Sequence, residues 1–291
     1  MNASTLTRHD IDVQDVEYLR HEGKPLLARL YRPKGTGPFP LVIDLHGGAW
    51  VNKDRLADAG INEAMARNGI AVAALDFRMP PQAGYPASMA DINYAIRWFK
   101  SRAAEFGTSP DKVCLMGFSS GAHQAILNVV RPHDARYEAL PLEENKAMDA
   151  TVRCVALCSP LVDPLERYQY IYRLKADGDP TLANRVGPGH DSYWGSEAAM
   201  AEGNPTLALE RGEAANGSLP PVLYVSLTKD KMHPRVSLER FIKAYGAAGG
   251  RVDLQWFEDK VEDGFISGDH TTPVAQAAIA KVIAFIHKEA A

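Results

Sequence analysis

Cysteine is scarce: the 291-residue chain has three, Cys114, Cys154 and Cys158. All fall in apolar runs that read as core strands. Two residues four apart along a strand are about 13 Å apart, beyond a disulfide's reach. Cys154 and Cys158 therefore do not pair, and all three are expected to be buried thiols in a reducing cytoplasm. The apparent glycosylation sequons at Asn2 and Asn216 then carry little weight. No stretch approaches the ~18 apolar residues of a membrane span. Met1 to Asp10 lacks an apolar core, so no signal peptide is expected. An excess of positive charge is also missing: Lys and Arg total 32 against 36 Asp and Glu, a net charge of −4. Nucleic acid and anionic membranes are thus not expected partners. There is no H-E-x-x-H, no paired C-x-x-C, no G-x-G-x-x-G and no phosphate loop ending in Gly-Lys-Ser/Thr, so neither a metal nor any other cofactor is expected. No internal repeat or linker divides the chain, which reads as one domain over 1–291 with an insertion.

What is present is a rhythm of apolar strands and amphipathic helices. Val13 to His21 and Pro25 to Tyr31 alternate and flank Glu22-Gly23-Lys24, an edge hairpin. Apolar strands are expected at Leu41–Leu45, Ile70–Leu75, Val113–Met116, Val152–Leu157 and Pro221–Leu227, and a last strand at Val252–Phe257. Helices are expected from Asn62 to Arg67, from Ser88 to Phe106 with a capping box at Ser88 and Asp91, from Ala122, from His233 to Tyr245, and from Pro273 to Ala290. Such alternation implies an α/β fold, a mostly parallel sheet of about eight strands with helices on both faces. Ligands in such sheets bind beyond the C-terminal strand ends, where His46, Ser119 and Ser159 fall. Between about 161 and 219 the rhythm breaks. That segment is too long for a plain connection and reads as a cap over the site.

Two turns carry chemistry. Gly117-Phe118-Ser119-Ser120-Gly121 joins a strand to a helix. Its serine is pushed into an exposed, strained position, with flanking glycines giving room to the neighbouring backbone. The helix start offers free N–H groups to a developing negative charge. Upstream, a core strand runs into His46-Gly47-Gly48-Ala49-Trp50. Together these turns resemble the α/β-hydrolase family, in particular its esterase and lipase branch with the His-Gly-Gly oxyanion motif, and the resemblance covers nearly the whole chain. It implies a serine carboxylic-ester hydrolase acting on a small ester through an acyl-enzyme. Ser119 would be the nucleophile, and Gly48, Ala49 and Ser120 the oxyanion donors, with the Gly47 N–H as an alternative. Trp50 and Phe118 flank the turns as substrate contacts. In such a family His46 braces the oxyanion loop, and Arg78 and Asp91 are architectural.

The family order places the acid next and the histidine last. Asp230, just past a buried strand, takes the acid's position, with Asp163 as a weaker candidate. Many members carry His-Gly-Phe after the last strand. This chain has Asp263-Gly264-Phe265 there, and His270 follows in the same loop. His270 is the expected base and His233 a more distant candidate. His123 is expected to pack along its helix, His133 and His190 to lie in polar loops, and His287 to be solvated. Amide or carbamate hydrolysis would use the same parts. The departure at Asp263 keeps open a ligand-binding, non-catalytic relative. A homodimer is compatible with the family.

Overall fold

The computed structural model describes residues 8–214, 219–258 and 270–290. Asn2, Asn216 and the Asp263-Gly264-Phe265 stretch lie outside the described residues. One eight-stranded sheet has the order β1-β2-β4-β3-β5-β6-β7-β8. β1 (Ile11–His21) and β2 (Lys24–Pro33) form the hairpin, joined by Glu22 and Gly23, both at positive φ. β2 pairs antiparallel with β4 (Ala71–Leu75). From β4 onward the neighbours β3 (Leu41–Leu45), β5 (Val113–Phe118), β6 (Val155–Cys158), β7 (Val222–Leu227) and β8 (Val252–Phe257) run parallel. β3 to β7 are buried along their whole length, as continuous apolar runs covered on both faces should be.

Each face has its own core. Leu41, Ile43, Leu45, Leu115, Val155 and Leu157 meet α2 (Ala87–Ser101), α3 (Ser120–Val130) and α8 (Arg235–Ala247) on one side. Val42, Val72, Cys114, Met116 and Ala156 meet α1 (Ala59–Arg67) and α9 (Pro273–Glu289) on the other. The alternation along each strand assigns the two sets. All three cysteines are free and buried.

Three local expectations are corrected. The capping box does not form: α2 opens at Ala87 behind Pro86 with no side-chain cap. Ser88 instead bonds the Tyr193 hydroxyl and accepts from Gln124, and Asp91 is taken by Arg78 and His21. His287 is half-buried and bonds the Asn68 carbonyl oxygen at 2.8 Å, because α9 packs on the end of α1. The third concerns the β6–β7 connection, which contains α4 (Pro164–Ala176), α5 (Thr181–Trp194), α6 (Glu197–Glu202) and α7 (Pro205–Glu210). Val186-Gly-Pro-Gly-His190 lies inside α5, and His190 is fully buried rather than in a loop. Tertiary packing overrides the poor helix propensity of Gly and Pro here. A Cβ at Gly187 would come 3.0 Å from the Tyr172 hydroxyl, and one at Gly189 would come 2.5 Å from the Ala49 carbonyl oxygen. The glycines are what let α5 lie this low.

Candidate active site

Register brings the two turns together. Leu45 pairs with Gly117 and Phe118 with Cys158, so the ends of β3, β5 and β6 are level. The chain leaves β5 through Ser119 at φ 49 and ψ −110, a conformation that costs a non-glycine residue about 1–3 kcal/mol. Its N–H bonds the Cys158 carbonyl at 3.0 Å, and its carbonyl accepts from His123 and Leu161 N–H. The flanking glycines are sterically required. A side chain at Gly121 would overlap the Leu45 carbonyl, and one at Gly117 would come 2.6 Å from the Ala122 nitrogen.

Gly48, Ala49 and Trp50 follow one another at positive φ (104, 51 and 64). This turns the loop back beside the serine, and Gly47 lies 3.0 Å, measured from a built Cβ, from the Phe118 carbonyl. The Gly48 and Ala49 N–H groups make no hydrogen bond among the described residues. The Ser120 N–H lies in the first turn of α3, where a helix leaves its donors unpaired. The Trp50 N–H is occupied, donating to Ser120 Oγ at 3.2 Å. His46 bonds the Gly47 carbonyl through Nδ1 at 2.7 Å and stacks on Phe77, and burial holds its pKa below the ordinary value. It ties the loop down from within.

Trp50 and Phe118 are both buried, Phe118 in the α9-side core and Trp50 among Tyr193, Trp194, His123 and His190. The indole Nε1–H donates to His123 Nδ1 at 3.3 Å, so the His123 proton sits on Nε2 and bonds the Gly203 carbonyl. Burial pushes His123 down to about 4, which keeps it neutral. Asp163 caps α4 and accepts from Asn204, a structural role.

Asp230 follows β7. Oδ1 accepts from the Met232 and His233 N–H groups, and Oδ2 from Ser226 Oγ and from His233 Nδ1 at 2.8 Å. Burial opposes its charge, but His233 and the backbone donors outweigh this and hold the carboxyl below the usual carboxylate range. His233 Nε2 is buried and has no hydrogen-bond partner among the described residues, Ser119 included. His270 takes a different place. Its ring lies against Gly60 at the start of α1, and its carbonyl accepts from Gln276 Nε2. Among the described residues it makes no hydrogen bond to Asp230 or Ser119. The Asp-x-x-His spacing was the sequence signal for the His233 contact.

One more group enters from the insertion. Arg167 of α4 is completely buried, with Cζ 5.5 Å from the Trp50 ring centroid and Nε donating to His190 Nε2 at 3.0 Å. No sequence feature distinguished it from the other arginines. Among the described residues no cluster could hold a metal ion, and no helix is long and apolar enough to cross a membrane.

The level strand ends, the strained serine and the helix behind it define an α/β-hydrolase fold. Comparison with known proteins agrees. Residues 29–169 match the BD-FAE family model. Carboxylic ester hydrolase LipN of Mycobacterium tuberculosis is 33% identical over 138 residues, 45% of this chain and 35% of LipN. The probable isoprenylcysteine alpha-carbonyl methylesterase ICMEL1 of Oryza sativa is 25% identical over 273 residues, 89% of this chain and 59% of that one. The chain thus spans only part of the length of the curated relatives it matches. Among solved structures, carboxyl esterase 2 of Tuber melanosporum superposes with a TM-score of 0.77 at 19% identity, covering 97% of this chain and 89% of that one. The chain therefore has the α/β-hydrolase fold, and part of it resembles esterases of that family.

Proposed function

We propose that the protein is a serine carboxylic-ester hydrolase acting on a small ester, with residues from about 161 to 219 capping the site. The observation that carries this reading is Ser119 at positive φ beside the unpaired Gly48 and Ala49 N–H groups. Ser119 Oγ attacks the ester carbonyl, forming the C–O bond and passing its proton to a histidine. The oxyanion is held by the Gly48, Ala49 and Ser120 N–H groups, each worth about 10²–10³ in rate. The histidine then protonates the departing alcohol, and water repeats the sequence to release the acid.

Asp230 is the acid of this reading. Its bond to His233 Nδ1 sets that ring with Nε2 free to accept a proton, as a base requires. His270 is the second reading, favoured by its place after β8 and against the start of α1. The test is hydrolysis of short-chain p-nitrophenyl esters together with fluorophosphonate labelling. The wild type should turn over and be labelled at Ser119, and Ser119→Ala should lose both. A wild type that neither hydrolyses nor labels would replace this reading with a non-catalytic ligand-binding role.

A further inference from the structure

Arg167 presents an unmet charge. Burial lowers its pKa only to about 10, so it stays cationic at neutral pH. Among the described residues its guanidinium makes one hydrogen bond, to a neutral imidazole, and faces the Trp50 ring, while both Nη atoms are buried without a hydrogen-bond partner. His190 cannot serve as a counter-ion, because burial pushes it down to about 2. Asp230 acts on the guanidinium through space, but its oxygens are engaged by Ser226, Met232 and His233. Burying a charge without a bonded counter-ion is costly, and an apolar side chain would fill the space for less.

The position is informative. Leu161, six residues before Arg167, bonds the Ser119 carbonyl, and Trp50, under the guanidinium, directly follows Ala49. The cation therefore faces the ring that follows the oxyanion turn and lies within electrostatic reach of Asp230. Its two free Nη groups form a planar fork matched to a carboxylate.

We infer that Arg167 recognises a carboxylate on the substrate, so that the preferred ester is an anion. This deepens the esterase reading and rests on it. The Nη atoms are buried among the described residues, so a carboxylate reaches them only where the packing around them opens.

The test compares monomethyl glutarate (anionic acyl part) and acetoxyacetate (anionic alcohol part) with the neutral esters dimethyl glutarate and methyl acetate. Wild-type kcat/KM for at least one anionic ester should exceed that of its neutral counterpart by about tenfold or more. In Arg167→Met that ratio should fall to near one, with Arg167→Lys in between. Neutral esters hydrolysed as well as both anions, or a ratio unchanged in Arg167→Met while all rates drop together, would overturn it. If the wild type hydrolyses no ester, the esterase reading fails and calorimetry with glutarate decides separately. Binding by wild type and none by Arg167→Met would uphold recognition, and no binding by wild type would end it.

Discussion

His233 Nδ1 stands 2.8 Å from Asp230 Oδ2, three residues away on the same turn. Asp230, which follows β7, is thus paired with a histidine of its own turn. In the family the chain resembles, the usual histidine follows the last strand, so this contact makes base identity an experimental question with two named answers.

Single alanine variants separate them. His233→Ala should lower kcat for p-nitrophenyl acetate by about 10³ or more, with His270→Ala within tenfold of wild type. The reverse pattern assigns the base to His270 and leaves the His233 contact as a brace for the acid.

Gly189→Ala should place a methyl group against the Ala49 backbone. Because Ala49 is an oxyanion donor in the proposed mechanism, a shift of about 1 Å should cost on the order of 10² in kcat. Gly246→Ala, where an added Cβ meets nothing within 4 Å, is the control and should raise or preserve stability. Equal activity in the two variants would mean that α5 does not set the loop.

Asp44 and Asp58 are buried together, Asp44 bonded to Asn62 and the Asp58 carboxyl without a hydrogen-bond partner among the described residues. Burial pushes Asp58 up to about 7 and Asp44 well above its ordinary value. The folded state then binds more protons than the unfolded one from about pH 4 upward, so stability falls as pH rises through that window. Urea unfolding at pH 5 and pH 7.5 should show a loss on the order of 1 kcal/mol or more, and Asp58→Asn should flatten it. Identical slopes in both proteins would refute the shift.

Ellman's reagent offers a simple check on the thiols. Cys114, Cys154 and Cys158 are at most 1% exposed, so none should react in the native protein and all three should react in guanidinium. A fast native thiol would contradict the burial.

The sheet, the serine turn and the turn after His46 were legible because their signals are local. Four apolar residues ending in Gly-x-Ser-x-Gly allow few backbones, and His-Gly-Gly after a strand few more. The insertion was legible only as an interruption. Gly187, Pro188 and Gly189 argue against a helix by propensity, and what permits one is the surface of Ala49 and Tyr172, more than a dozen residues away in sequence. Ser88 and Asp91 had capping-box spacing, but the longer-range partners Tyr193 and Arg78 claimed them. Arg167 could not be singled out, since an arginine's significance here lies in what fails to surround it.

Trp50 has a wider consequence. One indole is packed by Tyr193, Trp194 and His190 from the insertion and by His123 from α3, while its own backbone N–H grips Ser120. In the proposed mechanism, selectivity and catalytic power are therefore wired to the same ring. An evolutionary or laboratory exchange of the insertion would not behave as the swap of an independent module: a graft that fails to reproduce its aromatic seat would detune the chemistry along with the substrate range. New specificities should come more readily from changes at the rim of this segment than from its replacement.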